Sequence, residues 1–243
     1  MASLRGTALV TGATRRIGRA LSLACGQAGF DVALHCRAAD DDAQAAAAEV
    51  RALGRKTSIH TCDLRQEAAT APLIGEVEAE LGAVTLLVNC ASVFESDSFT
   101  DHNRASWDAH LETNLRAPLV LAQAFARRLP ADRTGLIVNI LDQRVLRPRP
   151  DFFSYSLSKS ALWTATQMLA LDLAPKVRVN AIGPGPVLAS IHQTPTTFAD
   201  EVATTPLARQ VQPADIARAL AYLIDANTVT GQMIAVDSGQ HLT

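Results

Sequence analysis

Tyr155 and Lys159 are the residues of this sequence best suited to proton chemistry. Their spacing of four places both side chains on one face of a helix. An ammonium group near a phenol lowers the phenol pKa from about 10 toward the working range, and it can also donate a hydrogen bond to a ribose hydroxyl. Because the chain has only two tyrosines, such a pair rarely arises by chance. The alternative is a surface tyrosine stacked on a lysine stem.

A glycine-containing turn lies near the N-terminus. The segment TGATRRIGRAL follows an apolar strand pattern and precedes a helical one. Gly12 and Gly18 thus bracket a turn where a phosphate would meet the N–H groups of a helix end. This context predicts a dinucleotide site that includes Arg15, Arg16 and Ile17. Alternatively, the glycines only permit a tight turn and close packing of the helix on the sheet.

The residue that ends the second predicted strand indicates which dinucleotide binds. NAD-binding proteins usually have Asp or Glu there, whereas this sequence has Arg37. A guanidinium binds a 2′-phosphate in bidentate fashion, and Arg15 adds a second positive charge, so NADPH is favoured over NADH. The acids at 40–42 weaken this argument and are interpreted as the start of the next helix. A solvated loop charge is the alternative for Arg37.

Asp63 and Leu64 follow the third predicted strand. At this position a side-chain acceptor can contact the adenine amino group. Asp63 is equally well placed to cap the next helix. Both interpretations stay open at the level of sequence.

Short β-branched runs alternate with longer Ala- and Leu-rich segments of helical period along the chain. This alternation predicts a single α/β domain over 1–243, a Rossmann fold whose doubly wound, seven-stranded parallel sheet has helices on both faces. Residues 183–212 show no clear pattern and are interpreted as a substrate loop. The predicted strands are 7–11, 31–36, 56–61, 84–89, 134–141, 176–182 and 231–236. The predicted helices are 16–29, 40–53, 66–81, 103–131 with a break before Pro118, 151–174 and 213–225.

The composition favours a small-molecule partner. With 19 % charged and 48 % hydrophobic residues and a formal charge of −2, the chain lacks the composition of a disordered protein and the polybasic surface that nucleic acid or anionic membranes attract. No apolar stretch approaches the roughly 18 to 20 residues that span a bilayer, and no signal sequence precedes the first strand, so a cytoplasmic location is expected. The four cysteines, Cys25, Cys36, Cys62 and Cys90, lack metal or redox spacing and are expected to be buried free thiols.

These motifs make the chain resemble the short-chain dehydrogenase/reductase family over essentially its whole length. The matching segments are TGATRRIG, LVNCAS, ETNLRAP, Tyr155-x-x-x-Lys159 and VRVNAIGPGPV. The resemblance implies an oxidoreductase in which Asn114 has a structural and proton-relay role, Tyr155 is the general acid, and Lys159 binds ribose and tunes the tyrosine. It also implies a homotetramer or homodimer. Further cofactor contacts that it implies are Asn89, Ala91, Ser92, Pro184, Gly185 and Val187, the last beside the nicotinamide carboxamide.

Three departures from the commonest pattern of the family narrow the resemblance. Arg16 replaces the middle glycine of T-G-x-x-x-G-x-G, NCAS at 89–92 replaces N-N-A-G, and Asp142 replaces the catalytic serine that precedes the tyrosine. Together they are similar to the pteridine reductase branch, which includes bacterial dihydromonapterin and dihydrofolate reductases. In that branch the loop arginine contacts cofactor phosphate and pterin, and an Asp partners the tyrosine. A Ser-x-Phe holds the pterin, here Ser92-Val93-Phe94.

Each departure suits a pterin. The flat ring can stack between Phe94 and the nicotinamide, and Arg16 can donate to the pterin carbonyl and to phosphate. Hydride addition to a C=N bond also needs a proton on nitrogen, which Asp142 beside Tyr155 can share and relay. The alternatives are core packing for Phe94, a solvated charge for Arg16 and a strand-end cap for Asp142.

The sequence therefore predicts an NADPH-dependent reductase of a dihydropterin such as dihydromonapterin, dihydrobiopterin or dihydrofolate. A carbonyl reductase of a 3-oxoacyl thioester or another ketone is the second hypothesis. Asp142 argues against it, because a carboxylate repels a developing alkoxide. The third hypothesis is an NADPH-binding sensor without turnover, against which Tyr155, Lys159 and Asn114 argue.

Overall fold

Seven parallel strands form the centre of the computed structural model, which describes residues 5–189 and 193–243. They are β1 (Thr7–Thr11), β2 (Asp31–Cys36), β3 (Thr57–Thr61), β4 (Val84–Asn89), β5 (Gly135–Ile140), β6 (Val177–Pro184) and β7 (Met233–Val236). Their order in the sheet is β3-β2-β1-β4-β5-β6-β7. The direction of growth reverses at β1, which pairs with β2 on one side and β4 on the other. In such sheets ligands bind at the carboxyl ends of the strands, at this reversal.

Helices cover both faces of the sheet, so the predicted fold class is confirmed. Alternate strand residues enter two apolar clusters, one packed against α1, α2 and α9 and the other against α4, α6 and α7. The helices are α1 (Arg16–Gln27), α2 (Asp41–Ala52), α3 (Glu67–Thr70), α4 (Leu73–Leu81), α5 (Arg104–Leu111), α6 (Ala117–Arg128), α7 (Phe153–Asp172), α8 (Pro195–Thr204) and α9 (Pro213–Asp225). Short 3₁₀ helices occupy Gln143–Val145 and Gln240–Leu242.

Two predicted helices differ from the observed ones near prolines. The predicted helix 66–81 is divided into α3 and α4 at Pro72, which lacks an N–H group and disfavours helix at the preceding residue. The predicted helix 103–131 is not broken before Pro118. Instead, a π-helical turn (Glu112–Arg116) links α5 directly to α6, with the proline in the first turn of α6. Such wide turns often occur at functional sites.

The region 183–212 contains more structure than the sequence predicted. β6 continues to Pro184, and α8 lies in the middle of the region. The start of α8 had a local signal, because Thr194 and Thr197 form a reciprocal capping box and Pro195 occupies the first helical turn. The predicted loop also includes residues 190–192, which lie outside the described residues.

Within 5–189 and 193–243, none of the helices combines the length and apolarity of a membrane span. The same ranges hold no group of three or more His, Cys, Asp and Glu residues that could bind a metal ion. Cys25 and Cys36 are buried free thiols, as expected, whereas Cys62 and Cys90 are free thiols that are only half-buried.

Candidate active site

The start of α7 and the end of β5 bring Tyr155, Lys159 and Asp142 together. Tyr155 and Lys159 lie on the buried face of α7, with 5 % and 2 % exposure. The Tyr155 hydroxyl donates a hydrogen bond to Oδ2 of Asp142 over 2.8 Å. Oδ1 of Asp142 accepts the N–H of Arg144 over 2.9 Å. Asp142 therefore partners the tyrosine and also caps the 3₁₀ helix, so both interpretations of this residue apply.

Burial is the largest cause of the pKa shifts of Asp142, Tyr155 and Lys159. It raises the pKa of Asp142, although hydrogen bonds from Arg144 and Tyr155 oppose the shift. Burial and the neighbouring Asp142 also raise the pKa of Tyr155 well above its usual value. The net shift of the Tyr155 pKa is therefore opposite in direction to the predicted lowering, because burial and Asp142 determine it. Tyr155 keeps its proton at neutral pH, as a proton donor must.

Lys159 is held by the end of β5. Its Nζ donates to the carbonyl of Ile140 over 2.8 Å and lies 5.8 Å from the centre of the Tyr155 ring. Burial lowers the pKa of Lys159 to about 8, and Asp142 partly opposes this shift. The ammonium form therefore predominates at neutral pH. Because an ammonium has three donors, it can bind a further acceptor besides the Ile140 carbonyl.

Asn114 lies in the π-helical turn and organises the segment after β4. Its side chain is fully buried. Oδ1 accepts the N–H of Val93 over 2.8 Å and the hydroxyl of Ser92 over 3.2 Å. Nδ2 donates to the Val93 carbonyl over 2.9 Å and to Ser158 Oγ over 3.1 Å. Asn114 thus fixes this segment beside α7, in agreement with the predicted structural role.

Phe94 belongs to an aromatic group beside the tyrosine. Its ring lies face to face with Phe152, with centroids 4.3 Å apart, and edge-on to Tyr155 at 4.6 Å. The guanidinium carbon of Arg144 lies 5.2 Å from the Phe152 ring centre. Phe152 has φ 53°, a left-handed conformation that is rare for bulky residues. The sequence predicted Phe94 but did not single out Phe152, which covers one face of it.

The turn between β1 and α1 leaves no room for side chains at its glycines. A Cβ atom on Gly18 would lie 1.9 Å from the carbonyl oxygen of Gly12, and one on Gly12 would lie 2.9 Å from Cα of Ala91. Gly12 also has φ 64°. Arg15, at the N-cap of α1, makes no side-chain capping bond among the described residues. The first-turn N–H groups are therefore available to an anion, so the turn fits the phosphates of a dinucleotide.

Arg15 is paired with acids in this structure. Its guanidinium donates to Asp40 over 2.6 Å and to Asp42. Asp40 also caps α2, where its Oδ1 accepts the N–H of Ala43. The acids do lie at the start of a helix, as the sequence indicated. They also neutralise one of the two arginines predicted to bind a 2′-phosphate, whereas Arg37 is exposed at the end of β2.

Arg16 joins the glycine turn to the segment after β6. It has φ 49°, and its Nη2 donates to the carbonyls of Leu188 and Ala189 over 3.1 Å each. Arg16 is exposed, as the alternative of a solvated charge implied, and it also makes these two main-chain hydrogen bonds. These main-chain acceptors engage Nη2, one of the three nitrogens of the guanidinium that the sequence predicted to bind pterin and phosphate.

Asp63 is engaged with a neighbouring arginine. It accepts hydrogen bonds from the Arg65 main-chain N–H over 3.0 Å and from Arg65 Nη2 over 2.5 Å. The Arg65 hydrogen bond, with a smaller contribution from Arg37, lowers the pKa of Asp63 to about 2. Gln66 is the N-cap of α3, so the interpretation of Asp63 as a helix cap is wrong. Contact with adenine stays a prediction, and Leu64 is buried.

Two predicted cofactor contacts, at the end of β4 and just after it, make hydrogen bonds within the protein. Asn89 is 4 % exposed, and its amide donates to Asn139 Oδ1 over 2.8 Å. The Ala91 N–H donates to Thr11 Oγ1 over 3.1 Å. The hydroxyl of Thr11 also accepts the N–H of Cys90 over 3.0 Å. Thr11 thus positions the segment against the glycine turn, a role that nothing in the strand pattern indicated.

The remaining predicted contacts lie around the ends of α1 and β6. Ile17 packs against the apolar cluster beneath α1. Pro184 ends β6 and Val187 is 4 % exposed. A Cβ on Gly185 would lie 2.6 Å from Cα of Asp237, so only glycine fits there. The structure places these residues at the same edge of the sheet as the glycine turn.

Comparisons with known proteins agree with this geometry. The family model described as enoyl-(acyl carrier protein) reductase matches residues 12–241. The chain is 41 % identical, with a TM-score of 0.95, to FolM alternative dihydrofolate reductase 1 from Brucella canis, whose crystal structure is a complex with NADP; the match covers 99 % of this chain and 95 % of that one. It is 34 % identical to the 3-oxoacyl-[acyl-carrier-protein] reductase FabG of Aggregatibacter actinomycetemcomitans, over 96 % of this chain and 98 % of the relative.

A further relative carries the family name itself. A short-chain dehydrogenase/reductase of Armillaria gallica is 32 % identical over 96 % of this chain and 94 % of its own length. The fold, the glycine turn and the Tyr155 and Lys159 pair are those that the sequence resemblance implied. The chain therefore belongs to the short-chain dehydrogenase/reductase family of oxidoreductases.

Proposed function

We propose that this protein is an NADPH-dependent reductase that transfers a hydride to the C=N bond of a dihydropterin of the dihydromonapterin, dihydrobiopterin or dihydrofolate class. The observation that carries the proposal is the 2.8 Å hydrogen bond between Tyr155 and Asp142. Reduction of C=N places a proton on a ring nitrogen, and a tyrosine backed by a carboxyl group of raised pKa can deliver and replace that proton. The similarity to the Brucella canis protein described as a dihydrofolate reductase supports the same substrate class.

The residues around β1 fit NADPH, which supplies the hydride when bound. The N–H groups at the start of α1, together with Gly12, Ile17 and Gly18, bind the phosphates. Arg37 and Arg15 bind the 2′-phosphate. The free donors of Lys159 bind the nicotinamide ribose. Residues that complete the site are Arg16, Asp63, Leu64, Asn89, Ala91, Ser92, Pro184, Gly185 and Val187.

The pterin lies beside Tyr155 in this proposal. Phe94 stacks on its flat ring, and the Ser92 hydroxyl and the Arg16 guanidinium bind its polar edge. Arg16 exchanges the carbonyls of Leu188 and Ala189 for substrate or phosphate oxygens. For proton transfer Asp142 is in its acid form and the hydrogen bond is reversed, so that Oδ2 donates to the tyrosine oxygen. The tyrosine then gives its own proton to the ring nitrogen and takes the Asp142 proton in its place, which leaves Asp142 as the carboxylate.

The carboxylates that pair with Arg15 are expected to weaken its binding to the 2′-phosphate, and so to limit the preference for NADP⁺ over NAD⁺. Asp42→Asn should strengthen NADP⁺ binding by about two- to fivefold, because it removes one of the two carboxylates that pair with Arg15 and with it a charge that repels the 2′-phosphate. Titration calorimetry with NADP⁺ and NAD⁺ measures the effect, which should shrink at high salt and be absent for NAD⁺. Asp41→Asn is the matched control on the same helix turn. Equal effects of the two substitutions, or weaker binding in Asp42→Asn, would contradict the prediction.

The proposed function is tested by following NADPH oxidation at 340 nm with a substrate panel. The panel contains dihydromonapterin, dihydrobiopterin, dihydrofolate and acetoacetyl thioester, with NADH in parallel. Turnover of a dihydropterin with NADPH is expected. Failure to reduce any dihydropterin, with good turnover of the thioester, would overturn the proposal.

The second candidate function is the reduction of a 3-oxoacyl thioester, which the similarity to FabG favours. Asp142 distinguishes the two candidate functions. In reduction of a ketone its carboxylate would face the alkoxide that develops on the substrate oxygen, and the two negative charges would repel each other. In Asp142→Ser, the dihydropterin reductase should lose pterin turnover. A 3-oxoacyl reductase would keep or gain thioester turnover with the same substitution.

A further inference from the structure

The helix that carries Tyr155 and Lys159 lacks a cap of its own. Phe152, the residue at its N-cap, makes no side-chain capping bond within the described part of the chain and has φ 53°. The first N–H groups of a helix have no partners inside the helix and need acceptors where they are buried. Those of α7 must therefore be satisfied from elsewhere.

Asp97 supplies these acceptors from a segment distant in sequence. Its Oδ1 accepts the N–H of Ser154 over 2.9 Å, across 57 residues of chain, and its Oδ2 accepts the Ser154 hydroxyl over 2.5 Å. Its main-chain carbonyl accepts the N–H of Phe153 over 3.1 Å. Asp97 is 7 % exposed, and a carboxylate at a helix N-terminus is also favoured by the helix dipole.

The same carboxylate joins α5 to this arrangement. Ser106 Oγ, in the first turn of α5, donates to Oδ2 of Asp97 over 3.0 Å. Burial alone would raise the pKa of Asp97, but the hydrogen bonds from Ser154 and Ser106 outweigh it and hold the pKa below its usual value. Asp97 is therefore ionised at neutral pH. Its two carboxylate oxygens accept three donors, namely the N–H and the hydroxyl of Ser154 and the hydroxyl of Ser106.

Asp97 and Phe94 lie in the connection between β4 and α5, residues 90–103. Asn114 fixes an earlier point of this segment through Val93. Between them, the Glu95 N–H donates to Nε2 of His110 over 3.2 Å, and the His110 ring lies 6.2 Å from the ring of Tyr155. The segment is thus attached to the π-helical turn, to α5 and to the first turn of α7.

We propose that Asp97 is a positioning residue for the reaction. By capping α7 from the segment that bears Phe94, it keeps the Tyr155 hydroxyl in a fixed place relative to the ring on which the substrate stacks. The inference rests on the proposed function for the identity of the substrate. Tight placement matters, because a displacement of about 1 Å of a reacting group can cost a hundredfold in rate.

Steady-state kinetics of three variants test the role. Asp97→Ala should lower kcat for the dihydropterin by about tenfold or more, with KM for NADPH changed by less than about twofold. Ser154→Ala keeps a good helix former in place and removes only the 2.5 Å bond, so it should fold and lose about three- to fivefold in kcat. Asp97→Asn keeps an acceptor for the Ser154 N–H and should recover most of the rate.

Asn180→Ala is the control for loss of buried hydrogen bonds. Asn180 is fully buried, donates to the Val229 carbonyl over 2.8 Å and accepts the Gln232 N–H over 3.0 Å, all outside the proposed site. It should lower Tm while kcat stays within about twofold of the parent. Equal losses of kcat in Asn180→Ala and Ser154→Ala would overturn the inference.

Amide hydrogen exchange separates this inference from the proposed function. Peptides that cover 152–158 should exchange faster in Asp97→Ala and Ser154→Ala, and those from the other end of α7 should not. This readout needs no substrate. If the parent protein reduces no dihydropterin, the proposed function fails, and exchange together with kcat on the substrate that does turn over still decides the role of Asp97. Unchanged exchange at 152–158 would overturn it.

Discussion

Tyr155→Phe should lower kcat for dihydropterin reduction by about 10²- to 10⁴-fold, the usual contribution of a positioned general acid. Phenylalanine keeps the ring, its edge contact with Phe94 and the burial of α7. Only the hydroxyl that donates to Asp142 is lost. The KM for NADPH and the affinity for NADP⁺ should therefore change little, because Lys159 keeps its bond to the Ile140 carbonyl. Steady-state kinetics at 340 nm and calorimetry measure the two quantities.

The second tyrosine of the chain provides the control. Tyr222 is 57 % exposed on α9, far in sequence from Tyr155. Tyr222→Phe should leave kcat and the KM for both substrates unchanged. A Tyr155→Phe enzyme that retained most of its kcat would show that the proton comes from another group.

Asp142→Asn should lower kcat for the dihydropterin by about 10²-fold or more, because an amide N–H is too weak an acid to pass a proton to the tyrosine. Asp142→Asn also disturbs the hydrogen bonds around the carboxyl group. The two oxygens of Asp142 each accept a donor, from Tyr155 and from Arg144. An amide replaces one oxygen with a donor, which can donate to the Tyr155 hydroxyl but cannot accept its proton, so the bond that Tyr155 now donates is lost. Initial rates with saturating NADPH test this expectation.

The pH dependence of kcat tests more directly than a single rate whether Asp142 holds the transferred proton. Desolvation raises the pKa of Asp142, so its acid form persists to higher pH than that of an exposed aspartate. The rate should fall as pH rises through this raised pKa, and Asp142→Asn should lack that limb. Because a raised carboxyl pKa costs folding stability as pH rises, the Tm of the variant relative to the parent should increase as pH rises from the ordinary aspartate pKa of 3.8 through the raised pKa of Asp142. An identical pH profile in both proteins would mean that Asp142 does not hold the transferred proton.

Local spacing was enough to predict part of the site. Tyr155 and Lys159 share a helix face because they are four residues apart, and the glycine turn follows from its position between a strand and a helix. The resemblance also placed Asp142 beside the tyrosine correctly. The homo-oligomer and the cytoplasmic location stay predictions.

Long-range contacts could not be predicted in this way. The direction in which the Tyr155 pKa shifts depends on how deeply the side chain is buried, and the sequence pattern did not reveal this burial. The pairing of Arg15 with Asp40 depends on how the turn after β2 packs beside the glycine turn. Asp97 meets Ser154 across 57 residues, and no local pattern marks either. By contrast, α8 had a local capping signal at Thr194 that the run of prolines around it obscured.

The order of strands also governs how a nascent chain can assemble. β2 and β3 add to one side of β1, and β4 then returns to the other side of β1, after which each new strand pairs with the strand synthesised just before it. From β4 to β6, the far edge of each newly added strand stays unpaired until a complete helical crossover has followed it and the next strand has joined. A ribosome that stalls after β6 would thus leave exposed an edge that β7 normally covers, and such open edges promote aggregation.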